Sequence, residues 1–299
     1  VLDGLNAKQR AAIGILPALI HLNEEGLPGF LQTRFPIFGI HGFELNSMME
    51  RCARLAISVD IEPLVAPVDR PLFQSILLES GVGTIGQRNQ VEMSVYLIAS
   101  VRSLGDAPLK SLMTRLELLA KWYAQADLHM KFTVLDPVWT AQGHFGQVGG
   151  DRAQGYLKLD WFYRNATLLC GAVPIYWCTA PATPQDQYEK AASMIQRVDF
   201  DKALNFVDLG QVILPKPAVR RRAMLGLLNH EPHSPLSFIL SLVHLTFGAN
   251  ASLALCEHLK LAVFKYGFRS EAIDPYLFYF DSAMVDNNTR HTNGTARHK

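Results

Sequence analysis

The segment from Phe73 to Ile98 constrains the fold more than any other part of the chain. Phe73-Gln-Ser-Ile-Leu-Leu-Glu-Ser80 is an apolar run of strand length, and Gly81-Val-Gly-Thr-Ile-Gly86 follows it as a glycine-rich turn. From Val91 the pattern has period two: Val91, Met93, Val95 and Leu97 fall on one side, Glu92, Ser94 and Tyr96 on the other. The spacing predicts strand, turn, strand, with Glu92 and Ser94 side by side on one face. The turn spells G-x-G-x-x-G, but a dinucleotide site needs a helix opening at the third glycine to hold a pyrophosphate. Only Gln87 to Gln90 separate Gly86 from the second strand, and Ser100 to Ser103 lack the acid that would bind a ribose. The sequence favours a plain glycine-rich connection over a dinucleotide site.

Around this pair the sequence predicts an α+β fold. Leu128–Leu135 reads as a third strand and Val173–Cys178 as a fourth. Helical spacing of apolar residues predicts helices over Lys8–Leu22, Glu44–Ile57, Pro108–Ala126 and Leu159–Cys170, with a glycine-rich loop at Gly143 to Gly155. Past Ala180 prolines punctuate segments that are otherwise helical, at 185–196, 218–229, 235–247, 251–266 and 270–284. The expected division is a mixed-sheet domain over 1–182, a helical domain over 183–285 and a polar, disordered tail over 286–299.

Charge narrows the function. A formal net charge of +1 gives no broad cationic surface, so no nucleic-acid partner is expected. No apolar run has the length of a membrane span, so no membrane partner is expected either. Cys52, Cys170, Cys178 and Cys256 lack C-x-x-C spacing and sit among apolar neighbours, as buried free thiols of a cytoplasmic protein do. His230-Glu-Pro-His233 has two imidazoles three apart, but Pro232 breaks the helix that would align them, so no metal site is assigned there. Arg220-Arg-Arg222 reads as a solvated helix face, and Asp160 with Arg164, four apart, as an ion pair.

Several motifs, in order, resemble one family. Ile15-Leu-Pro-Ala-Leu-Ile-His21 with Leu27-Pro-Gly-Phe30 is similar to L-L-P-T-L-L-H…M-P-G-Y of class I adenylate cyclases, the gammaproteobacterial type. Leu159-Asp-Trp-Phe-Tyr-Arg164 resembles their L-D-E-F-Y-R, Ile175-Tyr-Trp177 their I-L-W, and Phe206-Val-Asp-Leu-Gly210 their W-L-D-L-G. Glu231-Pro-His-Ser-Pro235 resembles I-D-S-P. The resemblance implies a nucleotidyltransferase-like mixed sheet with flanking helices, followed by a helical domain. Its catalytic signature, roughly G-S-x-S-S-V-G-Q and then S-D-L-D-I-W, places the glycine-serine pair on Ser80 and Gly81 and the later serines on Gly83 and Thr84. The two aspartates fall on Glu92 and Ser94, the tryptophan on Tyr96, and a third acid on His129.

Those departures set the functional expectation. Cyclising ATP calls for a pair of divalent ions held by carboxylates on one strand face. Here Ser94 is neutral, and His129 is a poor ligand for a hard cation. Asp136 alternates to the opposite face from His129, and the aim of Glu79 is open. The resemblance thus implies an adenylate-cyclase-like chain without metal-dependent turnover and without a cofactor. It would act as a regulatory module that binds ATP, another nucleotide, or a protein partner in cyclic-nucleotide signalling. Ser80, Gly81, Gly83, Thr84, Ser94 and His129 would form its binding site. The alternative is an active cyclase, a phosphorus-oxygen lyase using Mg²⁺ with Glu92 and other acids. A third reading is a scaffold whose pocket is filled by Tyr96 and Met93.

Overall fold

The computed structural model describes residues 5–44, 71–80, 91–146, 151–198, 205–230 and 253–267. The chain divides into two compact units that interleave along the sequence. The first comprises Val1–Trp139, Ala166–Trp177 and Ala191–Leu209; the second comprises Thr140–Asn165, Cys178–Lys190 and Gly210–Lys299.

The first unit is α+β, built on a mixed four-stranded sheet flanked by helices. Strands β1 (Phe73–Ser80), β2 (Val91–Ala99), β3 (Leu128–Leu135) and β4 (Thr167–Gly171) lie in the order β3-β2-β1-β4. β1 runs antiparallel to β2 and β4, and β2 parallel to β3. The period-two segment forms β2 as expected, and β3 has the predicted limits. One sheet face, carrying Ile76, Leu78, Met93, Val95, Leu97, Leu128 and Met130, packs into a single apolar cluster with helix residues. Those come from α1 (Ala7–Gly14), α2 (Leu16–His21) and α3 (Asp106–Ala124), with Leu112, Leu116, Leu119 and Tyr123 forming the inner stripe of α3.

The N-terminal segment read as one helix is two. Asn6 caps α1 in a reciprocal box with Gln9, and Pro17 lies in the first turn of α2, where its missing N–H costs nothing. Arg115 of α3 is fully buried and donates to the carbonyls of Leu19 (2.6 Å), Ile20 (3.3 Å), Ile37 (3.1 Å) and Leu22. Three of these are orphan acceptors at the end of α2. Burial pushes the guanidinium down to about 10, still far above neutrality.

The predicted helix at 159–170 and strand at 173–178 are both displaced. The helix is α5 (Arg152–Asn165), after the short α4 (Pro137–Ala141), and Thr167–Gly171 is strand β4. Val173–Pro174 is a two-residue strand, β5, parallel to β6 (Phe206–Val207), and Ile175–Cys178 is a helical turn, α6. Asp151 starts α5 early by accepting from the Ala153 amide at 2.9 Å. Gly171 is required where β4 meets β1: its φ is +91°, and a Cβ there would lie 2.2 Å from the Gln74 carbonyl oxygen.

Helix α7 (Gln185–Val198) follows α6. In the second unit α8 (Pro217–His230) and α9 (Leu255–Tyr266) each pack on α5. No helix among the described residues is long and apolar enough to cross a membrane. The predicted helices at Glu44–Ile57, 235–247 and 270–284, the tail at 286–299 and Cys52 lie outside the described residues. Of the other cysteines Cys256 is buried and Cys170 half-buried, but Cys178 is exposed, contrary to the expectation of burial.

Candidate functional site

The second face of the sheet carries the site residues. Strand register places Glu79 of β1 opposite Ser94 of β2, and Lys131 of β3 on the other side of Ser94. Glu92 is the register partner of His129. Because registered neighbours point the same way, Glu79, Glu92, Ser94, Tyr96, His129 and Lys131 share one face. Polarity is graded along it. Ser75, Leu77, Ile98 and Leu135 are fully buried at one end; Glu92, His129 and Lys131 are exposed at the other, with Ser94 half-buried between.

Glu79 resolves the question its sequence position left open. Its side chain is 6% exposed and accepts a hydrogen bond from the Tyr96 hydroxyl at 2.6 Å. The carboxylate thus stands beside Ser94 but engages Tyr96. Met93, 1% exposed, faces the apolar cluster, so it cannot fill a pocket on the Tyr96 side. Asp136 is turned away as alternation predicts: it caps α4 through the Val138 and Trp139 amides at 3.1 and 3.2 Å and also accepts from the Arg102 amide at 3.1 Å.

His129 is exposed, because its strand position faces away from the cluster that buries Leu128 and Met130. Ser80 ends β1, in register with Met93. Gly81, Gly83 and Thr84, the remaining members of the expected phosphate cradle, lie outside the described residues. Sequence reading had not singled out Lys131 or the pairing of Glu79 with Tyr96. Both follow once cross-strand register is known.

The donor set does not suit a pair of magnesium ions. Such ions need several oxygen ligands each, carboxylates foremost. Among the described residues, the exposed part of this face offers one carboxylate, a hydroxyl, an imidazole and an ammonium group. Among the described residues no group of three or more His, Cys, Asp or Glu is placed to hold a metal ion.

A second polar cluster lies within the helical unit. Asp160 is 2% exposed, meets the Arg164 guanidinium at 3.4 Å and accepts from the Cys256 amide at 2.8 Å. It thereby caps α9, whose own N-cap, Ala254, has no side chain to do so. Arg220 is buried rather than solvated, unlike Arg221 and Arg222. Burial lowers its pKa and the nearby Asp160 charge raises it. The expected Asp160–Arg164 ion pair is present, and its role is architectural. A cavity of about 30 Å³ in the same unit is lined by His144, Asp151, Gln154 and Lys158 among others; that is room for a water molecule, not a nucleotide.

Comparison with known proteins gives the same family as the motifs. The adenylate cyclase NT domain matches residues 1–177. An adenylate cyclase of Yersinia intermedia is 26% identical over 182 residues, covering 58% of this chain and 21% of that protein. One of Pasteurella multocida is 20% identical over 222 residues, covering 71% and 26%. One of Escherichia coli K12 is 26% identical over 183 residues, covering 58% and 21%. The chain therefore spans only about a fifth to a quarter of these relatives. No solved structure matches it. With the matched domain covering more than half its length, this chain belongs to the adenylate cyclase N-terminal domain family.

Proposed function

We propose that this chain is a nucleotidyltransferase-like module of adenylate cyclase descent that no longer cyclises ATP and works by binding. Its ligand is a nucleotide or a protein of cyclic-nucleotide signalling, and its place is the cytoplasm. The helices after residue 183 act as a companion domain. One observation carries the reading. The strand positions that would hold divalent ions carry Ser94 flanked by Lys131, with Glu92 as the one exposed carboxylate and Glu79 engaged by Tyr96. Two divalent ions bring four positive charges, and this face lacks the negative charge to hold them.

Register also supports a second reading, an active cyclase. Glu79 lies directly across from Ser94, so a carboxylate missing from β2 is present on the adjacent strand. The test is direct. Purified protein with ATP and Mg²⁺ or Mn²⁺ is expected to form no cyclic AMP above a buffer control. Cyclic AMP formation lost in both Glu92→Ala and Glu79→Gln would replace the binding reading with the enzymatic one.

A further inference from the structure

Glu92 and Lys131 stand on the same open end of one sheet face, and their opposite charges give the site a sign that can be measured. Resting on the nucleotide-binding reading above, we propose that Lys131 takes the place of the divalent ion, so that this face binds the phosphates of a nucleotide without metal. Parallel pairing of β2 with β3 sets Lys131 beside Ser94, where the resemblance to the cyclase signature would put an aspartate. An ammonium group at that point supplies positive charge and N–H donors, the functions a metal ion would serve toward phosphate oxygens. It also opposes entry of a divalent ion by like-charge repulsion. His129, two residues earlier on the same face of β3 and also exposed, adds a second donor.

Glu92 separates this arrangement from a metal site. Where carboxylates hold a metal, each one helps to bind phosphate through the ion. Where a lysine holds the phosphate, a neighbouring carboxylate only repels it. Neutralising Glu92 must therefore weaken nucleotide binding in the first case and strengthen it in the second. Lysine on an exposed edge strand also has a purely protective use, against pairing with other chains, and in that role its removal would leave nucleotide affinity unchanged.

The experiment is calorimetric titration of the whole chain with ATP, in excess EDTA and then in excess Mg²⁺. Three variants accompany the parent protein: Lys131→Met, Lys131→Arg and Glu92→Gln. Expected are binding in EDTA, a loss of about tenfold in Lys131→Met from removing a charge-assisted contact, and retention in Lys131→Arg. Glu92→Gln should bind about threefold tighter, as loss of one partly screened like charge predicts. Binding that requires Mg²⁺, or that weakens in Glu92→Gln, overturns the lysine substitution and leaves a nucleotide-binding module standing. Equal affinity in Lys131→Met and the parent overturns it as well. If ATP binds in neither buffer, both this inference and the nucleotide half of the proposed function fail.

Discussion

The two faces of the central sheet are built from the same strands under opposite rules. On one, Ile76, Leu78, Met93, Val95, Leu97, Leu128 and Met130 are all closed against α1, α2 and α3. On the other, burial fades over a few residues from Leu77 and Ile98 to the exposed Glu92, His129 and Lys131. A one-residue slip of any strand would carry polar groups into the apolar cluster, so packing of the first face locks the register of the second. At the open end Glu92, His129 and Lys131 stand outside the apolar cluster, so among the described residues the packing that fixes register does not include them.

The comparison predicts steeply unequal costs of substitution. The largest belongs to Arg115, which holds α2 and the segment near Ile37 against the closed face. Arg115→Met leaves four main-chain carbonyls without this donor. At about 1–3 kcal/mol for each buried group left unsatisfied, partly relieved by relaxation, we expect about 4 kcal/mol of lost stability in urea titrations. A loss under about 1 kcal/mol would show that the closed face does not rely on this clasp. Next comes Leu97→Ala on the fully buried middle of β2, expected to cost about 3 kcal/mol through lost burial and the cavity left behind. Its neighbour Tyr96, one residue away on the other face, should cost less. Tyr96→Phe removes a single hydroxyl from the Glu79 carboxylate, and about 1.5 kcal/mol is expected for a hydrogen bond to a charged group.

How much of this was legible from sequence differs in the same way between the faces. Alternation in 91–98 and the limits 128–135 follow from period two, because burial on one side leaves a repeating mark. The helix Pro108–Ala126 appears as Asp106–Ala124 for the same reason. Which residues meet across the open face was not legible. Ten residues, 81–90, join β1 to β2, too many for turn chemistry to set the pairing, and β2 reaches β3 by a crossover through α3. Glu79 and Lys131 therefore came to Ser94 only with the fold. The displaced elements failed on local ambiguity. Thr167–Gly171 continues a helical apolar rhythm, although Asp151 with Gln154 three residues on was a readable signal for an earlier helix start. Arg220 looked solvated because three consecutive arginines rarely bury one of their number; tertiary placement beside Asp160 decided it.

The smallest effect is the sharpest test of the contrast. Glu92→Gln changes an exposed side chain that has no part in the apolar cluster, so unfolding stability should move by less than about 0.5 kcal/mol. Ligand affinity should shift while stability does not, which is the signature of a residue retained or altered for binding. If Glu92→Gln instead destabilised the fold by more than about 1 kcal/mol in the same urea titration, the open end would be structural after all. Its charges would then be held by packing partners, and the division between a face that fixes register and a face free to bind would collapse.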